Sequence, residues 1–125
     1  MRGGTIPDDL RDFILRNIES VTQLEGLLLI RANPGDRWDA GRVAGRLYAN
    51  EGDVSTALTR LCGRGLLACR DDVYRYEPQS EEVRGLVDRL AATYAQLLIP
   101  VTNMIHDNER HIREFADAFR FRKGR

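Results

Sequence analysis

The sequence predicts a mainly α-helical fold carrying one short antiparallel hairpin, and three observations lead there. Apolar residues recur at i, i+3, i+4 and i+7 through much of residues 8–62, the spacing of a helix that buries one face. Two short apolar and aromatic runs, "LLACR" and "VYRYEP", meet at the acidic pair Asp71–Asp72, which reads as a tight hairpin connection. From Ser80 onward, apolar residues are separated by alternating steps of four and three over about three heptads.

The elements follow in order. Pro7, Asp8 and Asp9 open a first helix, because proline fits the first turn and acids favour the positive end of the helix dipole. Leu10, Phe13, Ile14 and Ile18 give it one apolar face. Ser20 caps a second helix, Val21 to Ala32, whose "LEGLLLI" is apolar over so much of its surface that it belongs at the centre of the core. "NPGD" ends it in a turn. Asp39 caps a third helix with Ala40, Val43, Ala44, Leu47 and Tyr48 on one face, and the same spacing returns after Asn50 in Val54, Ala57, Leu58, Leu61 and Cys62. Two short amphipathic helices joined around "ANEG" have the sequence form of a helix-turn-helix. Gly63 or Gly65 supplies the left-handed exit.

The longest helix opens at Ser80 with Glu81 and Glu82. Its heptad positions are Val83, Val87, Leu90, Tyr94, Leu97, Val101 and Met104. So long a stripe exceeds what a lone domain needs, and packing against a second copy of the chain accounts for it economically. Pro100 lies inside the seam and is expected to kink the helix, because it removes one backbone donor and crowds the preceding turn. A last amphipathic segment carries Ile112, Phe115, Ala116 and Phe119 and ends in the basic "FRFRKGR". Domain boundaries are expected at 1–79 and 80–125.

This order of elements, carried by "AGRVAGRLYANEGDVSTALTRLCGRGLL" and "VYRYEP", resembles the winged helix-turn-helix of bacterial transcriptional regulators, most closely the MarR-like group. The resemblance covers residues 20–78. It implies a three-helix core with a two-stranded β-hairpin wing (residues 66–76) and long C-terminal dimerisation helices. It also implies a homodimer that binds double-stranded DNA, with a recognition helix at about 51–62 in the major groove. Carried over residue by residue, Ser55, Thr56 and Thr59 face bases or phosphates, Arg60 is placed to fork onto guanine, Arg42 and Arg46 face phosphates with Arg64 near the helix exit, and Arg70 and Arg75 flank the wing tip. Glu51, Asp53, Asp71 and Asp72 depart from that pattern. They stand where phosphates would approach, and helix capping and turn chemistry also account for them. A winged-helix module that docks a partner protein is therefore the alternative reading.

Composition sets the remaining bounds. Lys+Arg and Asp+Glu number 19 each, so no bulk basicity advertises a nucleic-acid binder, although residues 37–76 are net +2. Lys123 is the single lysine; arginine forks suit phosphate, and an arginine-rich coding bias gives the same composition. No run of about 18 apolar residues is present, the start "MRGGTIPDDL" lacks the apolar core of a signal peptide, and a cytoplasmic location is expected. Cys62 and Cys69 read as small buried hydrophobes or as a redox pair. His106, Asp107, Glu109 and His111 lack metal-site spacing. No catalytic motif is recognisable, so no enzyme activity, metal or cofactor is expected.

Overall fold

The expected caps Ser20 and Asp39 stand at helix starts, while the first helix opens at Pro7 without a side-chain cap. A computed structural model describes residues 5–123, with side chains described through Arg110. It is mainly helical, with one two-stranded antiparallel sheet. The order is α1 (Asp8–Asn17), α2 (Val21–Ala32), α3 (Ala40–Leu47), α4 (Glu51–Gly63), β1 (Leu67–Arg70), β2 (Val73–Tyr76), α5 (Glu81–Gln96) and α6 (Leu98–Lys123). The side chains of Ser20, Asp39, Asn50 and Ser80 each accept a backbone N–H three residues on, satisfying one orphan donor at the start of α2, α3, α4 and α5.

α2 lies at the centre. Leu24, Leu27 and Ile30 are buried and share one core with Leu10, Ile14 and Ile18 of the α1 region, Val43 of α3, and Val54, Leu58 and Leu61 of α4. The junction between α1 and α2 is closed by Gln23, a buried polar side chain that accepts the Glu19 N–H (2.7 Å) and donates to the Asn17 carbonyl (3.3 Å).

The exit from α4 falls at Gly65, at φ 77°. Leu66 N–H reaches back to the Leu61 carbonyl (3.0 Å), the bond that closes a Schellman turn. A Cβ at Gly65 would also stand 2.7 Å from the far end of the Gln79 side chain, which would have to move aside, so the positive φ is what calls for glycine here. β1 and β2 pair Arg70 with Val73 across the two-residue loop Asp71–Asp72, whose φ values of 53° and 64° are both left-handed. That is the backbone of a type I′ hairpin turn, and aspartate tolerates it. Trp38 adds an isolated bridge to the sheet, its carbonyl accepting the Tyr74 N–H (2.8 Å).

The C-terminal region corrects one expectation and bears out another. The seam is not a free face for a second copy: Val87, Leu90 and Val101 are fully buried within the single chain, and Val83, Tyr94, Leu97 and Met104 pack against the same core. α5 and α6 both pack on α1, so the stripe closes this chain's own interior. The expected kink falls in the turn that Pro100 crowds. A proline ring conflicts with the carbonyl four residues before it, here Gln96, and Gln96 is the last residue of α5. The chain leaves helical geometry at Leu97 (φ −123°, ψ 50°). Pro100 then falls in the first turn of α6, where its missing N–H would have had no partner anyway. Ile112, Phe115, Ala116 and Phe119 lie on the helical backbone of α6 but outside the residues whose side chains are described.

Candidate nucleic-acid interface

The surface built by α3, α4 and the hairpin starts from the packing of α4. Val54, Ala57, Leu58 and Leu61 face the core, so the opposite side of the helix is left to solvent. Thr56, Thr59 and Arg60 are exposed there and Ser55 is half-buried. Between them run Gly52, Thr56, Thr59 and Gly63, all exposed, at spacings of four, three and four. This narrow line of small and hydroxyl side chains lets another surface approach the helix backbone closely. Ser and Thr drew attention in the sequence; Gly52 did not, because a glycine on a solvent face carries no local signal, and Gly63 was read only as a possible helix exit, a role that falls to Gly65.

The adjacent helix α3 carries arginines held by tryptophan. Arg42 and Arg46, one helical turn apart on α3, lie over the buried Trp38 ring with guanidinium carbons 4.7 Å and 5.7 Å from its centroid. Arg42 also donates to the Arg37 carbonyl (2.9 Å) and sits 3.8 Å from the Asp36 carboxylate. Trp38 Nε1 donates to the Asn33 carbonyl (3.0 Å), which fixes the indole plane under both cations. Trp38 is therefore a positioning residue that its sequence context did not single out.

The other expected arginines divide. Arg60 and Arg64 both reach Glu19, whose two carboxylate oxygens each take one guanidinium, with Arg64 Nη2 at 2.7 Å. Arg64 also donates to the Asn17 carbonyl (2.8 Å). Partial burial pushes the Glu19 carboxyl up, but Arg64 and Arg60 together outweigh it and hold the group below its usual range. The end of α4 is thus latched to the α1–α2 junction by partners 41 and 45 residues apart in sequence, a pairing no local pattern announces. Arg70 and Arg75 are exposed on the hairpin, and among the described residues neither makes an ion pair.

The four carboxylates have separate surroundings. Asp71 and Asp72 form the exposed hairpin turn. Glu51 and Asp53 occupy the first turn of α4, where the helix dipole favours them. Asp39, Glu51 and Asp72 line one recess of about 590 Å³ between α3, α4 and the hairpin, with Ser55 and Tyr74 on its wall. On the far side of α4, Asp53, Thr56 and Arg60 face Glu19 and the α6 residues His106 and Glu109 across a groove of about 650 Å³.

Cys62 is half-buried and Cys69 exposed. Burial pushes the Cys62 thiol up to about 12, with the neighbouring Cys69 thiol adding to the shift, so Cys62 stays protonated at neutral pH and packs as a small apolar group. Among the described residues no three His, Cys, Asp or Glu side chains gather to hold a metal, and no helix is long and apolar enough to cross a membrane. Comparison with known protein families and with curated proteins returned no match to this chain.

Proposed function

We propose that the chain is a winged helix-turn-helix regulator of the MarR-like kind that binds double-stranded DNA, with α4 in the major groove and the β1–β2 hairpin as the wing. One observation carries the reading. The exposed line Gly52, Thr56, Thr59 and Gly63 runs along α4, with Arg42 and Arg46 mounted on Trp38 in the adjacent α3 and Arg70 and Arg75 exposed on the hairpin that Trp38 bridges. The small line lets the helix enter a groove, its hydroxyls reach base edges or phosphates, and the guanidiniums of α3 and the hairpin meet phosphates. Arg60 and Arg64 join only by exchanging Glu19 for phosphate. A homodimer belongs to this reading, with the exposed Leu98 and Ile99 at the start of α6 as its apolar contact in place of the buried seam.

The test is duplex affinity measured by fluorescence anisotropy across a salt series. Arg46→Ala is expected to weaken binding to every duplex and to lower the slope of log affinity against log salt by about one, because one phosphate contact is lost. Thr59→Ala is expected to leave that slope unchanged and to reduce discrimination between sequences. Affinity unchanged in both variants would remove this face from the mechanism.

A second reading, a module that docks a basic segment of a partner protein, is favoured by the recess that gathers Asp39, Glu51 and Asp72. It is supported if the wild-type chain shows no salt-dependent duplex binding at low salt and captures a partner that Asp72→Asn no longer captures.

A further inference from the structure

Two turns in this chain close with the same backbone motif and different residues. At the end of α4, the left-handed position is Gly65 (φ 77°), with Leu66 N–H bonded to the Leu61 carbonyl at 3.0 Å. At the end of α3 it is Tyr48 (φ 55°, ψ 44°), with Ala49 N–H bonded to the Ala44 carbonyl, also at 3.0 Å. Glycine and asparagine take this conformation readily, whereas a bulky L-residue meets its own carbonyl oxygen there. Tyr48 accepts that strain and gains nothing in return within the chain. It is 97% exposed, and among the described residues its ring and hydroxyl meet no hydrogen-bonding, ionic or aromatic partner. Folding alone therefore gives no reason for an aromatic side chain at this position.

Its location supplies one. Tyr48 stands two residues after Arg46 and three before Glu51, the first residue of α4. The N-terminal end of a groove-bound helix is the end that approaches the duplex. Glu51 and Asp53 there repel phosphate, so a contact that is neutral and apolar suits the place better than another charge. We infer that Tyr48 is a DNA-contacting residue whose ring packs against the sugar edge of the duplex backbone beside the head of α4. This rests on the DNA reading above and adds a contact that the resemblance did not include.

The experiment compares wild type, Tyr48→Asn and Tyr48→Phe by thermal unfolding and by duplex binding over a salt series. Asparagine suits the left-handed position, so Tyr48→Asn is expected to melt no lower than wild type while binding duplex about ten-fold more weakly. Tyr48→Phe keeps the ring and is expected to bind within about two-fold of wild type. The salt slope is expected to be the same in all three, because no charge changes. Tyr48→Asn binding as tightly as wild type, or Tyr48→Phe binding as weakly as Tyr48→Asn, would overturn the inference and leave the DNA reading standing. A wild-type chain that binds no duplex at low salt overturns both.

Discussion

Replacing Trp38 with alanine is expected to cost about 3–5 kcal/mol of folding stability, against the roughly 5–15 kcal/mol that a domain of this kind has in total. Three losses combine. The indole is fully buried, so its removal opens a cavity under α3 and the hairpin. The Nε1–H bond to the Asn33 carbonyl disappears. Arg42 and Arg46 lose the ring on which their guanidiniums rest. Urea unfolding followed by circular dichroism reads the effect. Trp38→Phe, which keeps a ring in the site, is expected to lose appreciably less. A cost below about 1 kcal/mol for alanine would contradict a central role for Trp38, since full burial of so large a side chain cannot be that cheap to undo.

The second large effect is expected at Leu90, where alanine should cost about 2–5 kcal/mol regardless of protein concentration. Leu90 is fully buried inside one chain, with Val87 and Val101 as neighbours in the same core. Stability drawn from an interface between copies depends on concentration by mass action; stability drawn from a single chain's core does not. Thermal unfolding of wild type and Leu90→Ala over a hundred-fold range of concentration separates the two. Matching, concentration-independent losses are the expected result. A wild-type midpoint that climbs with concentration, and a climb that vanishes in Leu90→Ala, would return the seam to an interface.

What the sequence revealed and what it hid follow one physical division. Helix starts were legible because capping is local: Ser20, Asp39, Asn50 and Ser80 each bond an N–H three residues away. The hairpin was legible because a two-residue loop needs left-handed backbone at both positions, and Asp71–Asp72 tolerates it. The seam was visible as periodicity, but periodicity does not say what covers a face. Its assignment to a second copy failed because the chain breaks at Leu97 and packs both resulting helices on α1. That break had a readable cause in the clash between the Pro100 ring and the Gln96 carbonyl.

The surface around α4 was legible only in part. The outward Thr56, Thr59 and Arg60 follow from helix geometry once the buried face is known. The latch from Glu19 to Arg60 and Arg64 does not, because it joins residues that only the folded chain brings together. Trp38 under Arg42 and Arg46 is an intermediate case. Proximity in sequence suggested nothing until the bridge to Tyr74 fixed the indole between α3 and the hairpin. Tyr48 was counted on the apolar face of its helix by spacing, yet it is 97% exposed, because the helix ends one residue earlier and the left-handed turn swings the side chain outward.

The central claim is that the face made by α3, α4 and the hairpin binds duplex DNA. A titration of ¹⁵N-labelled chain with duplex DNA, followed by amide chemical shifts, tests it most directly. The account predicts shifts concentrated at residues 42–60 and 69–75, with little change in α1. Shifts confined to α1 and the start of α6, or none at low salt, would contradict it.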